Sequence, residues 1–130
     1  MYLLDTNICI AFLKNHRNVV KYVSQHIARC YLAAVVVAEL YKGVYCSQQV
    51  QQNRQTLDEF LTLLPILNFD QAAALEFGQI QGELKQMGRP TGELDAMIAA
   101  VARSQDFILV TDNIKHFQNI QNLQLENWLL

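Results

Sequence analysis

The feature that most constrains this fold is the alternation of short apolar runs with longer segments of helical periodicity. Four short, mainly apolar runs, at residues 1–4, 30–33, 66–69 and 107–110, are too short for buried helices and are typical of strands. Strands that alternate with helices require right-handed crossovers and a parallel sheet with helices on both faces. The sequence therefore predicts an α/β protein, a three-layer α/β/α sandwich with a small, mostly parallel sheet.

Capping residues and helix breakers set the bounds of the predicted helices. Asn18 is predicted to cap the second helix and Asp70 the fifth, while Pro65 ends the fourth. The predicted helices are 6–14, 19–28, 34–45, 51–64, 71–87 and 94–103, and a last short strand is predicted at 123–125.

Length and composition narrow the class of protein. The chain has 130 residues, of which 52% are apolar, so we expect a single domain spanning 1–130 and not a disordered chain. Its apolar runs are far shorter than the roughly 20 residues that a membrane-spanning helix needs. The N-terminus carries no basic leader, so the cytoplasm is the expected compartment.

Cysteine usage is consistent with a reducing compartment. Cys9, Cys30 and Cys46 are odd in number and match no metal-binding spacing. All three lie in apolar neighbourhoods, so we expect each to be a small buried side chain with a free thiol.

Charge is distributed unevenly along the chain. The net charge of −2 argues against a protein that holds nucleic acid by bulk electrostatics. Residues 1–54 carry a balance of +4 and residues 55–130 a balance of −6. The only acids of the first half, Asp5 and Glu39, lie inside apolar stretches. Burying a carboxylate costs several kcal/mol unless it is paired or binds a metal, so both positions suggest a functional site.

Four acids are predicted to meet at one edge of the sheet. Asp5 and Asp112 each follow a predicted strand, Asp95 opens a buried helix, and Glu39 lies on the helix after the second strand. Ligands of open α/β sheets bind at the carboxyl ends of the strands. Each acid also has an ordinary explanation: Asp5 and Asp95 as helix caps, Asp112 as a turn residue, and Glu39 as a solvated partner of Lys42.

Clustered carboxylates repel one another unless a cation is bound among them. Mg²⁺ suits such a site because it takes one or two carboxylates and keeps several waters, and Mn²⁺ is the expected substitute. The histidines are scattered along the chain and are expected to be surface residues: His16, His26 and His116.

At these acids the chain resembles the PIN-domain nucleases and, among them, the VapC toxins of bacterial toxin–antitoxin pairs. Four motifs carry the resemblance, in order and nearly end to end: Leu3–Asn7, Ala38–Leu40, Leu94–Ala100 and Leu109–Asn113. The resemblance implies a Mg²⁺-dependent endoribonuclease, the toxin component of a type II toxin–antitoxin system. It would cleave RNA, for instance a tRNA, with a metal-activated water.

The resemblance also implies residue roles. Asp5, Glu39, Asp95 and Asp112 would be the catalytic acids and metal ligands, with Asp112 the least secure because some similar toxins have Asn there. Glu93 has no role in the family pattern. Residues expected to orient carboxylates or waters are Thr6, Asn7 and Thr111. Independently of the resemblance, the basic first half of the chain offers candidates to contact the RNA backbone, each of which could equally be a solvated surface residue: Lys14, Arg17, Lys42 and Arg54. The implied partners are a small antitoxin that covers the groove and a second copy of the chain in a homodimer.

Two other functions remain open at this point. Asp5-Thr6-Asn7 resembles the start of a phosphatase with an aspartyl nucleophile, but that chemistry needs an acid at position 7, where this chain has Asn7. A non-catalytic, metal-dependent RNA-binding or regulatory domain would keep the same acids as structural residues.

Overall fold

The protein is built on a five-stranded sheet in which every neighbouring pair is parallel. A computed structural model describes all residues from 1 to 130. The strands are β1 (Tyr2–Leu4), β2 (Cys30–Ala33), β3 (Ile66–Leu67), β4 (Ile108–Val110) and β5 (Leu125–Glu126). Their order across the sheet is β3-β2-β1-β4-β5. The predicted sheet was mostly parallel, and the observed one is parallel throughout.

Seven α-helices connect the strands, and the predicted three-layer α/β/α class is confirmed. They are α1 (Thr6–Leu13), α2 (Arg17–Gln25), α3 (Ala34–Tyr45), α4 (Val50–Leu61), α5 (Gln71–Met87), α6 (Glu93–Gln105) and α7 (Ile114–Phe117). A 3₁₀ turn, Ile27–Arg29, follows α2. None of these helices combines the length and the apolar character that crossing a membrane requires.

The strand order reverses between β1 and β4, and this places a crevice at the centre of the sheet. Both strands are buried on both faces: Leu3, Leu4, Leu109 and Val110 have no exposed surface. Continuous apolar strands of this kind are expected in a parallel sheet covered by helices. In such sheets the crevice at the reversal point, outside the carboxyl ends of the strands, is the usual ligand site.

Helices α5 and α6 form a tightly packed pair beside the sheet. Helix α6 presents fully buried small residues, Ala96, Ala99, Ala100 and Ala102, which allow close approach of its neighbours. The pair is also joined by the Arg103 side chain, which is only 9% exposed. Its guanidinium group donates to Glu76 and Glu83 on α5 and to the Gln121 carbonyl.

The start of α2 was predicted wrongly. His16, not Asn18, is the N-cap, with its Nδ1 accepting from the Val19 N–H at 3.4 Å. Asn15 adopts a left-handed conformation, with φ of 60°, and turns the chain directly into α2. The Asn18 side chain is then free to donate to the Leu130 carbonyl at 3.1 Å, a contact that sequence periodicity does not register.

Other boundaries also shift. Helix α2 ends at Gln25 instead of about residue 28, and α4 spans Val50–Leu61 instead of 51–64. The last strand is Leu125–Glu126, two residues after the predicted start. By contrast, the bounds predicted for β2, α3 and α5 are confirmed.

One cysteine departs from its predicted burial. Cys9 and Cys30 are fully buried as expected, whereas Cys46 is exposed at the C-cap of α3. Burial raises the pKa of the Cys9 thiol and raises that of Cys30 to about 11, so both thiols stay protonated at neutral pH.

We expect DTNB to modify a single thiol, Cys46, in the native protein at pH 8, and all three in guanidinium chloride. Absorbance at the thionitrobenzoate band counts the reacted groups. The matched control, Cys46→Ser, should leave no fast-reacting thiol in the native state. Rapid modification of two or more native thiols would contradict the burial of Cys9 and Cys30.

Candidate active site

The site is organised around a buried carboxylate that directly follows β1. Asp5 is only 4% exposed, and its backbone N–H donates to the Val110 carbonyl of β4 at 2.9 Å. Its Oδ1 accepts from the Thr6 N–H at 2.8 Å, so Asp5 is also the N-cap of α1. The helix-cap interpretation of Asp5 is therefore correct, but capping uses only one carboxylate oxygen.

The other oxygen of Asp5 is held by the end of β4. Thr111, which is fully buried, donates its hydroxyl proton to Asp5 Oδ2 at 2.7 Å. The same Oγ1 accepts from the Asn113 N–H at 2.9 Å, which fixes the hydroxyl group. Asn7 Nδ2 lies at 3.4 Å from Asp5 Oδ2. All the donors to this carboxylate are neutral.

Glu39 is connected to Asp5 through one residue. Its Oε1 accepts from the Thr6 hydroxyl at 2.8 Å, while the Thr6 N–H contacts Asp5. Glu39 is half-buried and makes no ion pair with Lys42, so it is not the solvated partner of that lysine. Thr6 thus joins carboxylates that are 34 positions apart in the sequence.

Asp95 lies in the first turn of α6, two residues after the helix begins at Glu93, and so does not itself open the helix. His116 Nδ1 lies 3.0 Å from Asp95 Oδ2, and since an ionised carboxylate can only accept, this nitrogen carries the proton. His116 is exposed as predicted, and it also contacts one of the predicted acids. Only the placement of α7 reveals the contact. His16 and His26 are half-buried, and each is still partly exposed at the surface.

Electrostatics link three of the four predicted acids. Burial raises the pKa of the Asp5 carboxyl, and the hydrogen bonds from Thr111 and Thr6 partly offset this increase. The negative charges of Asp95 and Glu39 raise the pKa of Asp5 further. These carboxylates therefore lie close enough to repel one another.

Asp112 is positioned differently from the other acids. It is exposed, and its Oδ1 accepts from Asn127 Nδ2 at 3.1 Å. Its backbone N–H donates to Asn7 Oδ1 at 3.1 Å, which ties the loop after β4 to the start of α1. Asn127, near the C-terminus, was not among the predicted site residues, because no motif marks it.

The donor set suits a hard cation, although the side chains do not stand as a finished metal centre. No three carboxylate, imidazole or thiol groups are arranged so that they could hold one metal ion. Asp5, Glu39 and Asp95 nevertheless offer oxygen donors whose mutual repulsion a divalent cation would remove. Mg²⁺ needs only one or two protein carboxylates, so this chemistry fits the ion.

An apolar cleft of about 370 Å³ opens beside Glu39, between α1, α3 and α4. Its walls include Ile10, Leu13, Val44 and Leu57. Lys14 is the only predicted RNA contact that lines it. The others are exposed residues: Arg17 and Lys42 without an ion pair, and Arg54 bound to Asp58 and to the Tyr45 hydroxyl.

Comparison with known proteins agrees with this geometry. The model of the PIN domain family matches residues 2–123. The chain therefore belongs to the PIN-domain family. The "tRNA(fMet)-specific endonuclease VapC" of Shigella flexneri is 37% identical over 128 residues, which cover 98% of this chain and 97% of that protein. "Ribonuclease VapC2" of Haemophilus influenzae is 36% identical over 129 residues, 98% of each chain.

A solved structure, VapBC2 from Rickettsia felis bound to a promoter DNA fragment, superposes with a TM-score of 0.93 at 36% identity, covering 98% of both chains. Full-length similarity to VapC ribonucleases confirms the predicted resemblance. It also confirms the prediction that the chain is a VapC-type ribonuclease. The individual site residues stay predictions.

Replacing Thr111 by valine removes a buried donor to Asp5 while preserving side-chain shape. We expect a loss of about 1–3 kcal/mol of unfolding free energy at neutral pH, the cost of leaving a buried charge short of a partner. The pKa of Asp5 is already raised, so its ionised form opposes folding. The loss should therefore shrink as the pH falls through the raised pKa and Asp5 becomes protonated in the folded state.

Urea denaturation at several pH values measures this effect. Thr56→Val is the matched control, because Thr56 is exposed on α4 and should change stability by less than about 0.5 kcal/mol. Equal stability of Thr111→Val and Thr56→Val at neutral pH would show that the Thr111 hydroxyl does not support Asp5.

Proposed function

We propose that this chain is a Mg²⁺-dependent endoribonuclease that acts in the cytoplasm as the toxin of a toxin–antitoxin pair. The main support is the buried Asp5 carboxylate at the reversal point of the sheet, with Glu39 and Asp95 near enough to raise its pKa. The scissile phosphodiester can lie among these acids only when cations compensate their charge. The VapC ribonucleases are full-length relatives of the chain.

The proposed ligands are Asp5, Asp95 and Glu39, with Asp112 at the margin. When bound, Mg²⁺ would lower the pKa of a water molecule and stabilise negative charge on the transferring phosphoryl group; Mn²⁺ is the proposed substitute. Thr111 and the Thr6 N–H would hold the Asp5 carboxylate in a fixed orientation.

The neighbouring polar groups orient the other acids. The Thr6 hydroxyl donates to Glu39 and His116 donates to Asp95, so each carboxylate presents its second oxygen in a defined direction. Groups that orient ligands in this way affect activity almost as strongly as the ligands themselves. Asn7 would act through the loop, since its Oδ1 accepts from the Asp112 N–H.

For the substrate we propose a structured RNA of the tRNA class. This part rests on similarity, because the Shigella flexneri relative is a tRNA(fMet)-specific endonuclease. The phosphatase alternative is not favoured: the side chain at position 7 is an amide that contacts Asp5 and the Asp112 N–H, and it cannot act as a general acid.

We also propose that the antitoxin occupies the apolar cleft beside Glu39. Its apolar walls fit the hydrophobic face of a helix, and the carboxylate at its rim fits a basic side chain of the partner. The Rickettsia felis relative is known as a VapBC2 complex. Self-association as a homodimer is a further proposal, which follows from the family resemblance.

We expect Asp5→Asn and Asp95→Asn each to lower Mg²⁺-supported cleavage of tRNA by roughly 100-fold or more, because a lost ligand costs several kcal/mol of transition-state stabilisation. Gel analysis of a labelled initiator tRNA transcript measures the rate. EDTA should stop the reaction of the wild-type protein, and Mn²⁺ should restore it.

The matched control is Asp106→Asn, the same chemical change at an exposed residue that precedes β4 and so lies at the opposite edge of the sheet. Full activity in both active-site variants would refute the assignment of the acids. RNA binding without cleavage by the wild-type protein would favour the non-catalytic alternative.

We expect Ile10→Asp to weaken antitoxin binding at least tenfold, because a charge in the apolar cleft would be buried without a partner by the bound helix, a cost of about 1–3 kcal/mol. Titration with the purified antitoxin, sought as a short reading frame next to this gene, measures affinity. Ile27→Asp is the control, because Ile27 is 39% exposed against 41% for Ile10 but lies outside the cleft. Equal affinities would place the antitoxin elsewhere.

A further inference from the structure

We propose that a second cleft, on the Asp95 side of the site, binds phosphates of the RNA strand through Arg89 and Lys115. This inference rests on the proposed ribonuclease function and names the path of the substrate away from the acids. The cleft has a volume of about 380 Å³ and lies between the α5–α6 loop and α7. Asp95 and His116 form the end that adjoins the active site.

The charges in this cleft favour an anionic ligand. Arg89 and Lys115 are exposed and make no ion pair. Asp95 is the only acid in the lining, and it is itself a proposed ligand of the metal. Two basic side chains against one acid leave the local balance positive, and a divalent cation that compensates Asp95 increases it further. Phosphate oxygens are good partners for these cations, with guanidinium able to bind two oxygens together.

The walls of the cleft are held by contacts within the fold. Gly88 ends α5 in a left-handed conformation, with φ of 64°, and the Arg89 N–H donates to the Leu84 carbonyl at 3.0 Å. The Thr91 hydroxyl donates to the His116 carbonyl at 3.1 Å and so ties the loop to α7. His116 in turn contacts Asp95, which fixes the cleft relative to the active site.

An RNA strand cut at the acids must continue beyond them on both sides. On the Glu39 side it meets a cleft with largely apolar walls and one lysine, Lys14. On the Asp95 side it meets a cleft with two apolar side chains, Leu84 and Pro90, and two unpaired cations. Contacts to phosphates position a nucleic acid without reading its sequence, so this second side suits the backbone of any RNA.

These cations are not evident from the sequence, because the second half of the chain is acidic overall. Several of its acids are already engaged: Asp58 pairs with Arg54, Asp70 caps α5, and Glu76 and Glu83 bind Arg103. Net charge along the sequence counts all of them equally. The folded chain instead leaves Arg89 and Lys115 unpaired beside the active site.

The test is the salt dependence of RNA binding by an Arg89→Ala/Lys115→Ala variant. Fluorescence anisotropy with a labelled oligouridine, in EDTA so that no cleavage occurs, gives the affinity at each NaCl concentration. Each contact to a single-stranded phosphate contributes about −0.7 to the slope of log K against log[salt]. We expect the slope of the variant to be smaller in magnitude by about 1.4.

Two further variants separate charge from structure. Lys21→Ala/Arg29→Ala also removes one lysine and one arginine, and both residues are exposed on a different part of the fold, so its slope should equal that of the wild type. Arg89→Lys/Lys115→Arg keeps both charges and should retain the wild-type slope. In Mg²⁺, the alanine variant should show a KM for tRNA raised about tenfold with kcat little changed, as expected for loss of uniform binding.

Three results would overturn the proposal. The slope of the alanine variant could equal that of the wild type, the control variant could show the same decrease in slope as the alanine variant, or the wild type could fail to bind oligouridine. Failure of the ribonuclease proposal gives a different result: the wild-type protein would not cleave tRNA in Mg²⁺, whatever the slopes. The measurement in EDTA decides the role of the cleft in either case.

Discussion

The hydrogen bond from the Thr111 hydroxyl to the Asp5 carboxylate is the contact on which the site depends. It joins the ends of β4 and β1 at the point where the order of the strands reverses. Because Asp5 is nearly inaccessible to water, its charge needs this donor and the Thr6 N–H. The same contacts fix the orientation of the carboxylate, so one set of hydrogen bonds both stabilises its charge and orients it.

This arrangement costs stability in the absence of a cation. Asp5 has no basic partner, and Glu39 and Asp95 add repulsion to the penalty of burial. A carboxylate of this kind stabilises the fold only when a positive ion occupies the pocket. Active sites commonly retain strain of this type, since groups placed for chemistry are not the best groups for folding. The polar contacts of Thr6, Thr111 and His116 limit the cost and preserve the geometry.

The errors in the predicted structure have a common cause. Asparagine commonly caps helices, and Asn18 was predicted to do so. The left-handed conformation of Asn15 instead makes His16 the N-cap, and the Asn18 side chain donates to the C-terminal Leu130 carbonyl. Cys46 lies among apolar residues in the sequence, yet it ends α3 at the surface. In each case the prediction used only neighbouring residues. The observed structure depended on a contact distant in the sequence or on the position where a helix ends.

By itself the sequence determined the order of the strands and of the first six helices, the parallel sheet and the placement of Asp5 at a strand end, because these follow from periodicity, capping and the rule for crossovers. The short helix α7 was not predicted. It also carried the motifs that mark the family. Only the tertiary structure decided that Thr6 joins Asp5 to Glu39, that His116 contacts Asp95, and that Arg89 and Lys115 are unpaired beside the acids. Such relations depend on side-chain directions and ion pairing between distant segments. Neither spacing nor net charge along a chain contains that information.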